Sequence, residues 1–142
     1  MHGSGFSPAP AGASTPNVDG ETIVINGSGD LAVNPNISSI TYGSTITPAD
    51  ASAFQIYRCI LTGDVTVEVP TGTIDGSRIE LWLTASGGAR NVSFNASIIV
   101  PTSSAFTSPF SLTSGKKVKC LLEYDATLNG GQWELTSFIP GY

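Results

Sequence analysis

The chain has 142 residues, enough for one domain that buries a sizeable core. Charged residues make up only 12% of the sequence, the net charge is -5 and the pI is about 4.5. Nucleic-acid binding needs clustered Lys and Arg, so this acidic balance excludes a nucleic-acid partner. No apolar run approaches the roughly 20 residues that cross a bilayer, which excludes a membrane partner.

Ser, Thr, Gly and Asn take the place of the missing charges. Thr fits the pleated surface of a sheet, whereas Gly and Asn supply the backbone angles of tight turns. Residues that favour helices, such as Glu, Lys and Gln, are scarce. We therefore expect an all-β fold, either an antiparallel β-sandwich or a jelly-roll-like arrangement.

Residues 1–20 form a Gly/Pro/Ala/Ser segment that is unsuited to a central strand. It lacks the basic and apolar regions of a secretion signal, so no secretion is expected. We predict an extended N-terminal arm over residues 1–20 and a β-sandwich domain over 21–142. An arm of this kind becomes ordered against a neighbouring subunit. Its candidate interface residues are Phe6, Pro8, Pro10 and Pro16.

Short strand candidates separated by turn signals follow the Asp19-Gly20 turn, the spacing of a sandwich or barrel. No segment has the pattern of a helix. The candidates are residues 22–25, 37–42, 53–61, 65–69, 79–84, 92–94, 98–100, 117–124 and 132–138.

Details of these segments set further expectations. Residues 53–61 have a mixed character on both faces, as expected of a strand covered on two sides. Residues 129–131, Asn-Gly-Gly, accept positive φ and predict a hairpin between the last two strands. Residues 101–115 form a Ser/Thr/Pro loop, but Phe106 and Phe110 make it too apolar to be merely solvated.

The two cysteines, Cys59 and Cys120, lie far apart in strand-like segments. Their spacing matches neither a zinc site nor a redox motif. Free Cys is among the most buried residue types, so two buried free thiols are the preferred interpretation. A disulfide between neighbouring strands is the alternative.

No constellation of residues supports catalysis. The single histidine, His2, lies in the arm, where nothing holds it against a nucleophile or a metal. The glycines lack the Lys and Ser/Thr of a phosphate-binding loop. Paired acids serve glycosidases, but here the aspartates fall at turns, where Asp caps and bends the backbone. We predict no enzyme, no catalytic residue, no cofactor and no metal; the turn aspartates are Asp19, Asp30, Asp50, Asp64, Asp75 and Asp125.

The strand glutamates are expected on outward faces, paired across strands with basic residues. The only basic cluster is Lys116, Lys117 and Lys119, a candidate bridge to an acidic neighbouring subunit. The expected pairs draw on Glu68, Glu80, Glu123 and Glu134 with Arg58, Arg78, Lys117 and Lys119.

Exposed aromatic residues are the remaining signal, because Trp and Tyr anchor protein interfaces and sugar-binding platforms. Trp82 alternates with Ile79, Leu81 and Leu83, which places it on the outer face among charged neighbours. We predict Trp82 and the terminal Tyr142 as surface interface residues and Trp133 as core. Tyr42 and Tyr57 are further exposed candidates.

Residues 53–133 carry a series of motifs: Phe54, LTGDVTVEVP at 61–70, Asp75-Gly76, IELWL at 79–83, 87–94, Gly115-Lys116, 123–125 and Trp133. This pattern resembles a module of tailed-bacteriophage structural proteins, found in tails, fibres and head surfaces. The resemblance covers a little over half of the chain. It implies a β-sandwich that builds virions, and it carries over no catalytic residues.

In larger relatives the module typically ends a longer tail chain, whereas here it follows only a short arm. That arrangement is similar to capsid decoration, or cement, proteins, which bind the outer head surface and stabilise the shell. The resemblance implies the major capsid protein and copies of this chain, as a homotrimer, as partners. It also implies assembly in the host bacterial cytoplasm and a final place on the virion. The alternative is a tail or fibre module that binds a host receptor or carbohydrate.

Overall fold

The structure is a computed structural model that describes residues 17–18, 21–25, 31–34, 36–49, 54–72, 74–102 and 106–142. Within these ranges the chain is built of strands, with one short 3-10 turn at Leu128–Gly130. The strands are β1 Asn17–Val18, β2 Glu21–Ile25, β3 Leu31–Asn34, β4 Asn36–Ser39, β5 Thr45–Ile46, β6 Phe54–Leu61, β7 Val65–Val67, β8 Arg78–Ala85, β9 Arg90–Phe94, β10 Phe110–Leu112, β11 Lys117–Asp125 and β12 Gln132–Pro140.

The strands form three sheets. An N-terminal sheet has the order β1-β2-β3, with both pairs antiparallel. The large sheet has the order β12-β11-β8-β6-β4, and the facing sheet has the order β10-β9-β7-β5. The all-β expectation is therefore confirmed for the described residues.

Strand direction differs from the sequence expectation. The pairs β4–β6 and β6–β8 of the large sheet are parallel, as are β5–β7 and β7–β9 of the facing sheet. Between β4 and β9 the chain crosses from one sheet to the other at every connection, so successive strands of one sheet run the same way. Antiparallel pairing is correct only for the N-terminal sheet and for β8–β11, β11–β12 and β9–β10.

A single hydrophobic core joins the large and facing sheets. Alternate residues of β8 are buried, and Ile79, Leu81 and Leu83 are 0% exposed. Val67 and Val92 bring the facing sheet into the same cluster. Burying an aliphatic side chain stabilises a fold by about 1.5–3 kcal/mol, so this core fixes which side of each strand remains outside.

Two expectations for segments of the chain are only half correct. The start of β6 is covered on both faces, since Gln55 and Ile56 are both buried, but Arg58 and Ile60 near its end are exposed. The predicted strand at 98–100 forms only an isolated bridge from Ile99 to Glu134.

The loop at 101–115 contains β10 and contributes Phe106 to the core. Phe106 packs against Phe94 and Phe138 with ring centroids 5.0 and 4.9 Å apart. These edge-to-face contacts account for the apolar character of the segment.

The loops that lead from the large sheet to the facing sheet contact one another. The Tyr42 hydroxyl donates to the Asp64 carbonyl oxygen at 3.0 Å, and the Asn91 amide donates to Asp64 Oδ1 at 2.8 Å. A Cβ at Gly63 would overlap the Tyr42 hydroxyl. Glycine is therefore needed at position 63 for close approach to the tyrosine ring.

The cysteines are free and buried, as predicted. Cys59 lies on β6 and Cys120 on β11, with β8 between them, and strands are about 4.8 Å apart. Their Cα atoms are thus beyond the roughly 7 Å limit for a disulfide, and the disulfide alternative is wrong. Burial raises the pKa of both thiols, and the Glu80 carboxylate raises the pKa of Cys120 further.

Because Tyr42 contacts Gly63, substitutions at the two positions should change the free energy of unfolding non-additively. Tyr42→Phe removes one exposed hydrogen bond and should lower the free energy of unfolding by about 1 kcal/mol. Gly63→Ala should cost about 1–3 kcal/mol through overpacking, but less in the Tyr42→Phe background, because the overlapping hydroxyl is gone. Urea denaturation of the four proteins measures the coupling, and strictly additive losses would contradict this contact.

The raised thiol pKa values predict instability at alkaline pH. The stability that the buried neutral thiols contribute is complete below the unfolded thiol pKa of about 8.5. It is lost as the pH rises from there towards the raised folded-state pKa, by up to about 1.4 kcal/mol per pH unit for each thiol. Denaturation between pH 7 and 10 should show a flatter decline for the Cys59→Ala/Cys120→Ala variant; parallel curves would refute this origin.

Candidate functional site

The two sheets present different surfaces to solvent. Outward positions of the facing sheet are polar, as at Thr66, Asn91 and Ser93. Among the described residues, five large hydrophobic side chains are exposed, and four of them belong to the large sheet or its C-terminal extension. We call this side the outer face; its members include Ile37, Arg58, Ile60, Glu80, Trp82, Lys117, Lys119, Ile139 and Tyr142.

Trp82 lies at the centre of the outer face. In the strand register Arg58 of β6 and Lys119 of β11 lie directly opposite Trp82, one on each side. The Arg58 guanidinium carbon is 5.1 Å from the ring centroid, and the amines of Lys117 and Lys119 are 5.3 and 5.0 Å from it. Half of the six Lys and Arg residues of the protein therefore contact one indole ring.

The charges around Trp82 are poorly balanced. Glu80 Oε1 accepts a hydrogen bond from the indole Nε1 at 2.8 Å. Within the described ranges, the only ion pair joins Arg78 to Glu123, with 3.2 Å between Nε and Oε1. The cations over the ring thus have no carboxylate within 4.0 Å in that part of the chain. An exposed cation–π contact contributes about 0.5–1 kcal/mol, which stabilises the cluster without neutralising it.

Grooves flank the ridge formed by Trp82 and Lys119. The larger groove, of about 580 Å³, runs towards β4 and β6. The smaller, of about 260 Å³, lies towards β12. The larger groove is lined in part by Ile40, Tyr42, Arg58, Ile60, Trp82 and Lys117.

Tyr142 extends the outer face beyond β12. Its backbone is anchored to β11, because its N–H donates to the Lys117 carbonyl at 3.1 Å and its carbonyl accepts from the Lys117 N–H at 2.9 Å. Lys119 Nζ lies 4.7 Å from the Tyr142 ring centroid. Lys119 therefore connects the two aromatic residues that the sequence predicted as surface interface residues.

The remaining candidates lie elsewhere. Trp133 is 2% exposed and in the core, as predicted. Tyr42 and Tyr57 are only half-buried, and their hydroxyls donate to backbone carbonyls, which gives them structural roles. The arm residues Phe6, Pro8, Pro10 and Pro16 lie outside the described residues.

Sequence reasoning missed the convergence of Arg58, Lys117 and Lys119 on Trp82. The expected cross-strand ion pairs form only between Arg78 and Glu123 within the described ranges. Glu80 instead binds the Trp82 indole, and Glu68 accepts from Asn95. Alternation placed each cation on an outward face, but the strand register that brings them together was not visible in the sequence.

The outer face is suited to recognition through packing and charge. The described residues contain no group of three or more His, Cys, Asp and Glu side chains that could hold a metal ion. Across the same ranges no helix has the length and apolarity to cross a bilayer. Aromatic residues and Arg are enriched at protein interfaces, and the outer face presents Trp82, Tyr142 and Arg58 beside exposed aliphatic groups.

The cations around Trp82 predict charge-selective fluorescence quenching. The ratio of iodide to cesium quenching should be higher for Trp82 than for free N-acetyltryptophanamide, since the cations attract the anion. The iodide-sensitive signal should disappear in Trp82→Phe and persist in Trp133→Phe, which removes the buried indole. A ratio equal to that of the free indole at matched ionic strength would contradict a positive potential at this ring.

Comparison with known proteins identifies no family for this chain. No protein-family model and no curated protein matches the sequence.

Proposed function

We propose that this protein is a structural protein of a tailed-bacteriophage virion, a capsid decoration protein that binds the outer head surface and stabilises the shell. The observation that carries the proposal is the outer face, where Trp82, its cations and four exposed hydrophobic residues lie on one side of the large sheet and its C-terminal extension. The sequence motifs of residues 53–133 resemble phage virion modules, and this resemblance points to a virion as the assembly.

The residue types on the outer face favour docking through this face. Trp, Tyr and Arg are the residues that most often dominate binding energy at protein interfaces. Exposed Ile60 lines the groove beside Trp82, and a groove with apolar and charged walls is a common binding surface. The opposite sheet presents Thr66, Asn91 and Ser93, which suit contact with water. We infer a two-sheet sandwich that docks on one side and is solvated on the other.

Many equivalent contacts with the shell would make the attachment strong. A decoration protein meets many equivalent sites on a shell, and a homotrimer would engage several capsid subunits at once. Linked contacts raise overall avidity far above the affinity of one contact. In this proposal the predicted arm adds a contact of Phe6 with the major capsid protein or a neighbouring copy. No catalytic step is involved.

The alternative is a tail or fibre module that binds a host receptor or carbohydrate. The groove of about 580 Å³ beside Trp82 is the observation that favours it, because sugar sites combine a cleft with an aromatic wall. A glycan array probed with the purified protein tests this function directly. Specific glycan binding, together with labelling of tails by an antibody to this chain, would replace the decoration proposal.

Particle binding tests the decoration proposal. Purified heads that lack this protein should bind the wild-type chain, and Trp82→Ala should weaken that binding by at least about tenfold, as at an interface hot spot. Ser93→Ala, on the opposite sheet, is the matched control and should bind normally. Deletion of residues 2–16, which leaves Asn17–Val18 of β1 in place, should also reduce binding. Heads that fail to bind wild-type protein, or electron microscopy that places the chain only on tails, would refute the proposal.

A further inference from the structure

We propose that the groove beside Trp82 binds an acidic segment of a partner protein, with Asp or Glu carboxylates against Arg58 and Lys117 and an apolar side chain beside Ile40 and Ile60. The inference deepens the proposed function and rests on it for the identity of the partner. Its own basis is the chemistry of the groove.

The cations at the groove are complementary in charge to an acidic ligand. Lys117 and Lys119 lie on the same side of β11, and Arg58 approaches the same ring from β6. Like charges held near one another repel. The only carboxylate bound to Trp82 is that of Glu80, through the indole N–H, among the residues described. An incoming carboxylate would relieve this repulsion, and the relief favours an anionic ligand over a neutral one.

The apolar lining of the groove favours a peptide over a free anion. Ile60 is 63% exposed at the groove, and Ile40 and Tyr42 line the same depression. A free inorganic anion would gain nothing from these side chains, whereas a peptide can offer a carboxylate and an aliphatic group on neighbouring residues. The groove volume of about 580 Å³ has room for several side chains.

The arrangement of the indole argues for protein over carbohydrate. Sugars stack on an open aromatic face, but Trp82 is flanked from the two neighbouring strands by Arg58 and Lys119. Its N–H, the one polar donor of the ring, is already used by Glu80. A stacked sugar would have to displace a cation, whereas a carboxylate can bind to the cations where they are.

A peptide pair tests the inference. A short Glu-Leu-Glu-Leu peptide with Gly-Ser flanks should bind wild-type protein more tightly than its Gln-Leu-Gln-Leu counterpart, by calorimetry and by Trp82 fluorescence in the Trp133→Phe background. The preference should decline steeply between low and high salt, because it is electrostatic. Equal binding of the two peptides would overturn the inference.

Charge-removing variants locate the site. Arg58→Gln and Lys117→Gln should each weaken binding of the acidic peptide by about tenfold, as for partly desolvated charge pairs. Lys116→Gln is the matched control, since Lys116 is exposed beside Lys117 and makes no contact with Trp82. Equal losses of peptide affinity in all three variants would indicate non-specific electrostatic attraction. That result would overturn the assignment of the binding site to the groove. Competition by an oligogalacturonate that binds more tightly than the peptide would assign the groove to carbohydrate.

The outcomes separate the two proposals. If heads bind the Arg58→Gln/Lys117→Gln protein as tightly as wild type, the groove inference fails and the decoration function stands. If the acidic peptide binds at the groove but heads bind no form of the protein, the groove inference stands and the decoration function fails.

Discussion

The shared core between the large and facing sheets is the constraint on which the functional surface depends. Leu81 and Leu83 are fully buried in it, and in a strand every second side chain must then point the other way. Trp82 lies between these two leucines, so the core itself holds the indole outside. A register shift of one residue would bury Trp82 and expose both leucines, and the hydrophobic cost of that exchange keeps the site in place.

Strand pairing then converts scattered basic residues into one cluster. Arg58 is 24 positions before Trp82 in the sequence and Lys119 is 37 positions after it, yet both lie opposite Trp82 in the sheet. The parallel pair β6–β8 and the antiparallel pair β8–β11 are both required. An acidic protein thereby carries a local positive surface, and long-range repulsion from an acidic partner is offset only where this face is presented.

Much of the strand content could be predicted from the sequence, because burial on one side produces alternation, as at Val65, Val67 and Ile79 to Leu83. The hairpin at Asn129-Gly130-Gly131 was predicted from turn chemistry. Strand direction was not predictable in the same way, since a period of two is the same whichever way the neighbour runs. The cationic cluster around Trp82 depends on that pairing, so Trp82 was found and its surroundings were not.

The difference between the two solvent-facing surfaces is itself an argument for docking. Polar residues such as Thr66 and Ser93 show that this chain can cover a sheet with groups that water solvates well. On the large sheet it instead keeps Ile60 and Ile139 about half exposed or more, at 63% and 49%, beside crowded cations. Exposed aliphatic groups promote aggregation, and like charges close together repel. A partner that covers the apolar groups and supplies carboxylates removes both penalties with the same contact.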